Sequence, residues 1–214
     1  MNDKLVDFYG RDFLVTPDVL IPRPETEMIV DAVLNLVGKP YLPGVKPGEA
    51  KLPQNLSILD VGTGSGCIAI TLKLELPEAH VSASDFSEKA LAVARKNAAR
   101  LGAKVDFIRS DLMNDVSHDF DVVVANLPYV DEKWDWIDKE ALAKEPEEAL
   151  YADDGGLALI KRLISQVAGH SIKCLILESD PSQHDLVKEY AEREKFSLVE
   201  TRGFIQVYSN NYAG

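Results

Sequence analysis

The stretch that decides the fold is SILDVGTGSGCIAI, residues 57–70. Its first five residues form a short apolar run typical of a buried strand, and its last residues are typical of a helix packed on a sheet. Between them, Gly62, Gly64 and Gly66 stand at alternate positions. Such glycines let the backbone turn sharply and let a ligand approach without meeting a Cβ atom, while the N–H groups of the next helix face that ligand. The stretch therefore predicts a strand, a binding turn and a helix.

The same alternation of strand and helix continues towards the carboxyl terminus. Predicted strands cover 57–61, 80–84, 105–109, 121–125 and 173–178, and predicted helices cover 65–76, 87–101, 157–167 and 183–195. Two further strands, 197–201 and 204–208, meet across Arg202-Gly203 as a hairpin. We therefore expect an α/β, Rossmann-like fold: a seven-stranded, mostly parallel sheet with one antiparallel strand and helices on both faces.

The first 55 residues precede this alternation. Residues 6–9 and 12–15 flank Gly10-Arg11 and predict a short β-hairpin. An apolar stripe between Met28 and Val37 predicts a helix, and the Pro- and Gly-rich residues 38–55 predict a long surface loop. We expect residues 1–22 to form a hairpin arm and residues 23–214 to form the main domain.

Composition restricts the function classes. Of 214 residues, 46% are hydrophobic, yet the apolar runs are too short to cross a membrane and no signal segment opens the chain. We therefore expect a cytoplasmic protein, without membrane contact, whose two cysteines are reduced. The four histidines lack metal-ligand spacing, so no metal site is expected. A net charge of −12 argues against direct nucleic-acid binding and would suit a basic protein partner. We expect a monomer.

The glycine turn and the acids near it narrow the choice of ligand. A dinucleotide fingerprint would place its third glycine at Cys67, but here it is Gly66, and Asp60 precedes the turn. This pattern resembles the loop of class I S-adenosylmethionine-dependent methyltransferases, although a tight turn alone also needs glycine. Asp85, after the second strand, is suited to accept both ribose hydroxyls, or it serves the next helix start. The candidate cofactor-binding residues are Asp60, Gly62, Thr63, Gly64, Ser65, Gly66, Asp85, Asp111, Leu112 and Asn126, of which Asp111 and Leu112 would flank the adenine.

Asn126-Leu127-Pro128-Tyr129 follows the fourth strand and is the candidate catalytic segment. An amide nitrogen is a poor nucleophile, and its two hydrogens must point away from an incoming methyl group. The Asn126 side-chain oxygen accepts one hydrogen and the Leu127 carbonyl the other, while Pro128 biases Leu127 to an extended shape. Tyr129 offers a flat face to the planar amide. Asn-x-Pro also ends strands, which is the simpler alternative.

Motifs along nearly the whole chain closely resemble those of the HemK/PrmC family, the N5-glutamine methyltransferases that modify the Gly-Gly-Gln motif of peptide-chain release factors. They are Tyr9–Phe13, Val15–Glu27, Asp60–Ile70, Asp85, Ala90-Leu91, Asn97-Ala98, 126–129, Glu145-Pro146 and Ala149-Leu150. The resemblance implies S-adenosylmethionine as cofactor, S-adenosylhomocysteine as product and a release factor as protein substrate. It also implies that Pro22–Glu27 helps to wall the site.

This sequence departs from the family's pattern in places. The family usually has Pro where Leu127 stands, and a helical domain usually precedes the hairpin. We expect either a catalytic fragment or a naturally short relative. Two alternatives stay open. The first is an adenine N6-methyltransferase acting on nucleic acid, since rRNA dimethyladenosine transferases also carry Asn-Leu-Pro-Tyr. The second is a non-catalytic module that binds the cofactor or a translation factor. Trp134 and Trp136 are expected either to pack a lid or to dock a protein substrate.

Overall fold

The computed structural model describes residues 3–38, 52, 55–137 and 145–210. Within them the strands are β1 (Lys4–Phe8), β2 (Arg11–Val15), β3 (Ser57–Val61), β4 (His80–Asp85), β5 (Asp106–Arg109), β6 (Val122–Ala125), β7 (Cys174–Glu178), β8 (Phe196–Arg202) and β9 (Ile205–Asn210). The helices are α1 (Glu27–Leu36), α2 (Cys67–Glu75), α3 (Glu88–Leu101), α4 (Ala158–Val167) and α5 (His184–Arg193). Short 3-10 helices cover Pro24–Thr26, Glu147–Ala149 and Pro181–Gln183.

Seven strands form the main sheet in the order β5-β4-β3-β6-β7-β9-β8. The pairs within β5 to β7 are parallel, and β9 runs antiparallel to both of its neighbours, β7 and β8. The predicted α/β class, the seven strands and the single antiparallel strand are therefore confirmed. β1 and β2 form a separate two-stranded sheet, as the sequence predicted for the amino-terminal hairpin.

Helices cover both faces of the main sheet. Because successive side chains of a strand point to opposite sides, each strand contributes apolar residues to both cores. Ile58 packs into the core that holds α1, α2 and the end of α3. Leu59 and Val61 pack instead into the core that holds α4 and α5. Burying such an aliphatic side chain contributes ~1.5–3 kcal/mol, so the apolar run 57–61 fixes the centre of the sheet.

The chain order reverses between β3 and β6, since β4 and β5 lie on one side of β3 whereas β6 and β7 lie on the other. At this point Val61 pairs in register with Ala125. The residues that follow these two positions, Gly62 and Asn126, therefore leave the sheet side by side. Open α/β sheets bind ligands at such a switch point, beyond the carboxyl ends of the strands.

Several predicted boundaries shift for identifiable reasons. The hairpin turn is Tyr9-Gly10 and not Gly10-Arg11, because a two-residue turn that matches the strand twist needs positive φ at both central residues, and Tyr9 (φ 55°) and Gly10 (φ 69°) have it. Helix α2 begins at Cys67 and not at Ser65, since Gly66 has φ 82°, outside the helical region. β3 has the predicted bounds, and the other elements differ from prediction by one or two residues at an end.

Two predictions concern residues that the structure leaves largely undescribed or untested. The predicted surface loop 38–55 lies outside the described residues except at positions 38, 52 and 55. The division at residue 22 stays a prediction, although Phe8 and Phe13 of the hairpin pack in the same core as α1 and α2. Among the described residues, none of the helices has the length and apolar character needed to span a bilayer.

Asn97 on α3 joins three parts of the fold that position the glycine turn. Its side-chain amide donates to the carbonyls of Leu14 and Ser65, each at 2.9 Å, and its Oδ1 accepts from Leu14 N at 2.7 Å. The side chain is fully buried. The Asn97 side chain therefore links the amino-terminal hairpin, helix α3 and the glycine turn.

Replacing Asn97 by alanine removes these three hydrogen bonds and leaves the buried carbonyl of Ser65 and the half-buried backbone groups of Leu14 without this partner. We expect the Asn97→Ala variant to lose about 2–4 kcal/mol of unfolding free energy, measured by urea denaturation. Lys96→Ala, at the adjacent exposed position, is the matched control and should change the unfolding free energy by less than about 0.5 kcal/mol. Equal losses in the two variants would contradict this role of Asn97.

Candidate active site

The glycine turn after β3 is held against the end of β4. Gly62 and Thr63 donate their N–H groups to the carbonyl of Ser84 at 2.8 and 3.0 Å. Gly62 and Gly64 have φ of 73° and 54°, a region that glycine enters without strain. A Cβ on Gly62 would lie 2.8 Å from the Leu127 side chain. The turn therefore lies directly against the segment that follows β6.

Asp85 ends β4 with both carboxylate oxygens fixed by backbone donors. Gly64 N donates to Oδ2 at 2.9 Å and Ser87 N donates to Oδ1 at 2.8 Å. Ser87 itself caps α3 through its side chain. Burial raises the pKa of Asp85 above its usual value. Each oxygen keeps a lone pair for a further donor, such as a hydroxyl group.

Asp60 lies beneath the turn, not on its open side. Its Oδ2 accepts from the Thr63 hydroxyl at 2.6 Å and from Ala69 N at 3.2 Å, which ties the turn to the start of α2. Its Oδ1 is buried and has no hydrogen-bond partner in the described parts of the chain. Burial raises the pKa of Asp60 to about 7. A direct cofactor contact of Asp60 stays a prediction.

A cavity of about 600 Å³ opens above the glycine turn. Ten of the predicted site residues line it: Gly62, Thr63, Gly64, Ser65, Asp85, Asp111, Leu112, Asn126, Leu127 and Pro128. The structure thus brings the ends of β3, β4, β5 and β6 to one cavity. Asp60 and Gly66 are not among its lining residues, and Tyr129 lines a neighbouring pocket instead.

Asn126 is oriented by a residue from the amino-terminal part of the chain. Its Nδ2 donates to the hydroxyl of Thr26 at 3.0 Å, and Thr26 is only 2% exposed. The Asn126 side chain also donates a hydrogen bond to the Glu178 carboxylate, so the amide nitrogen is committed to these two protein acceptors. Within the described residues, no hydrogen bond is made to Asn126 Oδ1, which leaves this oxygen as an acceptor for a ligand at the cavity wall.

Leu127 and Pro128 form the wall beside Asn126. The Leu127 side chain is buried at 4% exposure in the core that holds α4 and α5. A residue at this position thus contributes its backbone to the cavity and its side chain to packing over Gly62. The family's usual proline is replaced by a residue with its own place in the core. In the described part of the chain no donor reaches the Leu127 carbonyl, so it too remains an acceptor.

Tyr129 is fixed at both its ring and its backbone. Its hydroxyl donates to Glu178 Oε1 at 3.2 Å, and its carbonyl accepts from Gln183 Nε2 at 2.8 Å. A Cβ on Gly156 would lie 1.9 Å from the same carbonyl, so this close approach requires glycine. Burial, followed by the charge of Glu178, raises the pKa of Tyr129 well above its usual value. Tyr129 is therefore a neutral, immobilised phenol.

A second pocket, of about 250 Å³, lies on the other side of Asn126, Leu127 and Pro128. Tyr129 and Glu178 line its inner part, and Trp134 and Trp136 line it as well. The two indole rings stack with centroids 5.0 Å apart, and Trp136 is 64% exposed. The tryptophans, whose role the sequence left open, thus form part of a pocket wall.

The segment before α1, residues 20–26, forms one wall of both the large cavity and the second pocket. Arg23 lines the two pockets and pairs with Glu145 through Nη2 and Oε1 at 2.5 Å. The other Glu145 oxygen accepts from Ile21 N at 2.9 Å. Because the Glu145 carboxylate is buried, with 2% side-chain exposure, this clamp holds the segment in place. Pro22 and Thr26 also line the large cavity, as the family resemblance implied.

Sequence reasoning did not identify Glu178 as a site residue. It ends the otherwise apolar strand β7 (Cys-Leu-Ile-Leu-Glu) and is 1% exposed. Burial raises the pKa of Glu178 to about 7, and the charge of Glu25 adds to the rise, while hydrogen bonds from Thr26, Tyr129 and Asn126 oppose it. A lone acid ending a buried parallel strand next to β6 was the available signal, since sites form at that edge.

Comparisons with known proteins show which family this chain resembles. A family model for the methyltransferase small domain matches residues 49–167. A release factor glutamine methyltransferase of Koribacter versatilis is 46% identical over 167 residues, which cover 77% of this chain and 55% of that protein. The corresponding protein of Neisseria gonorrhoeae is 39% identical over 199 residues, covering 91% of this chain and 67% of that protein. The chain thus spans about half to two thirds of these relatives.

Solved structures show the same fold at lower identity. A methyltransferase from Pyrococcus furiosus gives a TM-score of 0.64 at 17% identity, over 94% of this chain and 89% of that one. Magnesium protoporphyrin IX methyltransferase from Synechocystis, with bound SAM, gives 0.55 at 20% identity, over 87% and 80%. The predicted Rossmann-like fold of class I methyltransferases is therefore confirmed.

Because the pKa of Glu178 is raised, we expect the unfolding free energy of the protein to depend on pH. The pKa is about 7 in the folded protein and 4.5 for an ordinary glutamate, so the folded state binds this proton more tightly than the unfolded state does. The unfolding free energy should therefore fall as pH rises from about 4.5 to about 7, by ~1–3 kcal/mol from this group. Urea unfolding from pH 5 to 8 should show a smaller fall in Glu178→Gln than in the wild type. Parallel pH dependences in the two proteins would contradict the assignment.

Proposed function

Because this chain belongs to the HemK/PrmC family of release factor glutamine methyltransferases, we propose that it transfers a methyl group from S-adenosylmethionine to a glutamine side-chain amide. The proposed substrate is the glutamine of the Gly-Gly-Gln motif in a peptide-chain release factor. The observation that carries this proposal is the Asn126 side chain, whose nitrogen is committed to Thr26 and Glu178 and whose oxygen is left to accept a hydrogen from the substrate.

The large cavity fits the proposed cofactor. Its volume of about 600 Å³ is within the usual range for sites that bury a ligand of this size. Asp85 presents two oxygens with spare lone pairs to a ribose, and Asp111 and Leu112 line the part expected to hold the adenine. The bound sulfonium would supply an electrophilic methyl group. The chain's own residues would orient the acceptor and exclude water.

The second pocket fits the side chain that receives the methyl group. A side chain entering past Tyr129 reaches Asn126 and the Leu127 carbonyl, which line both pockets. These two acceptors would hold the two amide hydrogens and so aim the nitrogen at the cofactor side. Such orientation is worth roughly 7–11 kcal/mol in favourable intramolecular reactions, and each buried acceptor adds ~1–3 kcal/mol.

A protein substrate also fits the charge of the chain. The net charge of −12 would repel the phosphate backbone of a nucleic acid, whereas it would suit a basic protein partner. This supports the proposal over the nucleic-acid alternative. The expected monomeric state and cytoplasmic location stay predictions.

The experiment is mass spectrometry of a release factor incubated with this protein and S-adenosylmethionine. We expect one added methyl group, located by peptide fragmentation on the glutamine of Gly-Gly-Gln. The Asn126→Ala variant should bind S-adenosylhomocysteine within about threefold of the wild type and lose at least about a hundredfold in methylation rate, because removing one positioned acceptor costs ~2.7–4 kcal/mol in comparable sites.

Lys96→Ala is the control for the methylation assay, since its side chain is exposed on α3. If the wild type binds the cofactor but adds no methyl group to the release factor, the proposed substrate is wrong. If Asn126→Ala loses cofactor affinity and rate to the same extent, the role given to the Asn126 oxygen is wrong.

A further inference from the structure

The charged residues that line the second pocket are mostly acidic. Among its described lining residues, Glu25, Glu178 and Asp180 are acidic and Arg23 is the single base. Arg23 is already paired with Glu145. The pocket therefore presents an excess of negative charge to whatever side chain enters it.

Glu178 is the most deeply placed of these acids. It is 1% exposed, and one of its oxygens accepts from the Tyr129 hydroxyl. Its Oε2 is buried as well. The same carboxylate takes hydrogen bonds from Thr26 and Asn126, so Glu178 carries its negative charge directly beside the amide that meets the substrate.

Pocket shape cannot separate glutamine from glutamate, because the two side chains have nearly the same size. They differ in that a carboxamide is neutral and donates two hydrogens, whereas an ionised carboxylate is negative and only accepts. A site achieves specificity by repelling the wrong ligand as well as by binding the right one. A buried charge does this efficiently because water screens it poorly.

We propose that Glu178 is a specificity-determining residue of the second pocket: with Glu25 and Asp180, its carboxylate admits a neutral carboxamide side chain and rejects the carboxylate of the same length. This inference rests on the proposed function, in which the pocket receives the glutamine side chain. It adds that the pocket recognises the amide by charge as well as by hydrogen bonding to Asn126. It also means that a deamidated substrate is excluded from the site.

The test compares two forms of one release factor, the natural form and one whose Gly-Gly-Gln glutamine is replaced by glutamate. Calorimetry measures the affinity of each for the protein saturated with S-adenosylhomocysteine. The measurement is made at pH 8.5, above the pKa of about 7 for Glu178, so that the carboxylate is ionised. We expect the wild type to bind the glutamine form more tightly.

In the Glu178→Gln variant, affinity for the glutamate form should rise about tenfold or more, since two charges ~6 Å apart in a protein interact strongly enough for that change. Glu25→Gln removes a half-buried charge from the same pocket and should shift the ratio in the same direction by less. Glu78→Gln removes an exposed charge just before β4, at the opposite edge of the sheet, and should leave the ratio unchanged. Thermal unfolding and S-adenosylhomocysteine affinity establish that each variant is folded.

The outcomes separate this inference from the proposed function. If the release factor is methylated but the ratio is the same in wild type, Glu178→Gln and Glu25→Gln, the inference is overturned and the function stands. If Glu178→Gln does not fold, Glu25→Gln decides by the same criterion. Tighter binding of a form with lysine in place of the glutamine would also overturn it, because the pocket would then select a cation. A wild type that methylates no release factor refutes the proposed function, and the inference with it.

Discussion

One hydrogen bond, from Asn126 Nδ2 to the hydroxyl of Thr26, joins residues 100 positions apart and determines which way the site faces. An asparagine amide is nearly symmetric in shape, so packing alone does not decide where its oxygen points. Thr26 accepts from the nitrogen because its own hydroxyl hydrogen is donated to the Glu178 carboxylate, which leaves the hydroxyl oxygen as an acceptor. Because Thr26 is buried at the start of α1, the orientation depends on how the amino-terminal segment lies across the sheet, and Glu145 holds that segment through Ile21 and Arg23.

The parallel sheet supplies the second constraint, since strand ends that meet at one edge must bring their polar residues together. Gly62 and Asn126 follow the paired positions Val61 and Ala125, and Glu178 ends the next strand, β7. Carboxylates at this edge are partly removed from water, which raises the pKa values of Asp60 and Glu178. The same placement that assembles the site thus makes part of it costly to ionise.

Much of this arrangement followed from the sequence, and the exceptions have a common physical cause. Short apolar runs that alternate with helical patterns predicted all seven main-sheet strands, and the strand-end rule placed Asp85 and Asn126 at one cavity. Glu178 was not identified as a site residue, and Thr26 was expected only as part of the wall that the family resemblance implied, because their roles come from contacts between distant segments. The position of Asp60 two residues before the glycine turn did not indicate its hydrogen bonds to Thr63 and Ala69, and a ligand contact of Asp60 stays a prediction.

The most direct test of this account is the single-turnover rate of methyl transfer in Thr26→Val and Thr26→Ser, with a release factor as substrate. Valine has the shape of threonine without an acceptor, whereas serine keeps the hydroxyl. The account predicts that Thr26→Val lowers the rate about tenfold at unchanged S-adenosylhomocysteine affinity, since an unsatisfied buried donor costs ~1–3 kcal/mol, and that Thr26→Ser restores most of the rate. Equal rates in Thr26→Val and the wild type would contradict the claim that this hydrogen bond orients the site.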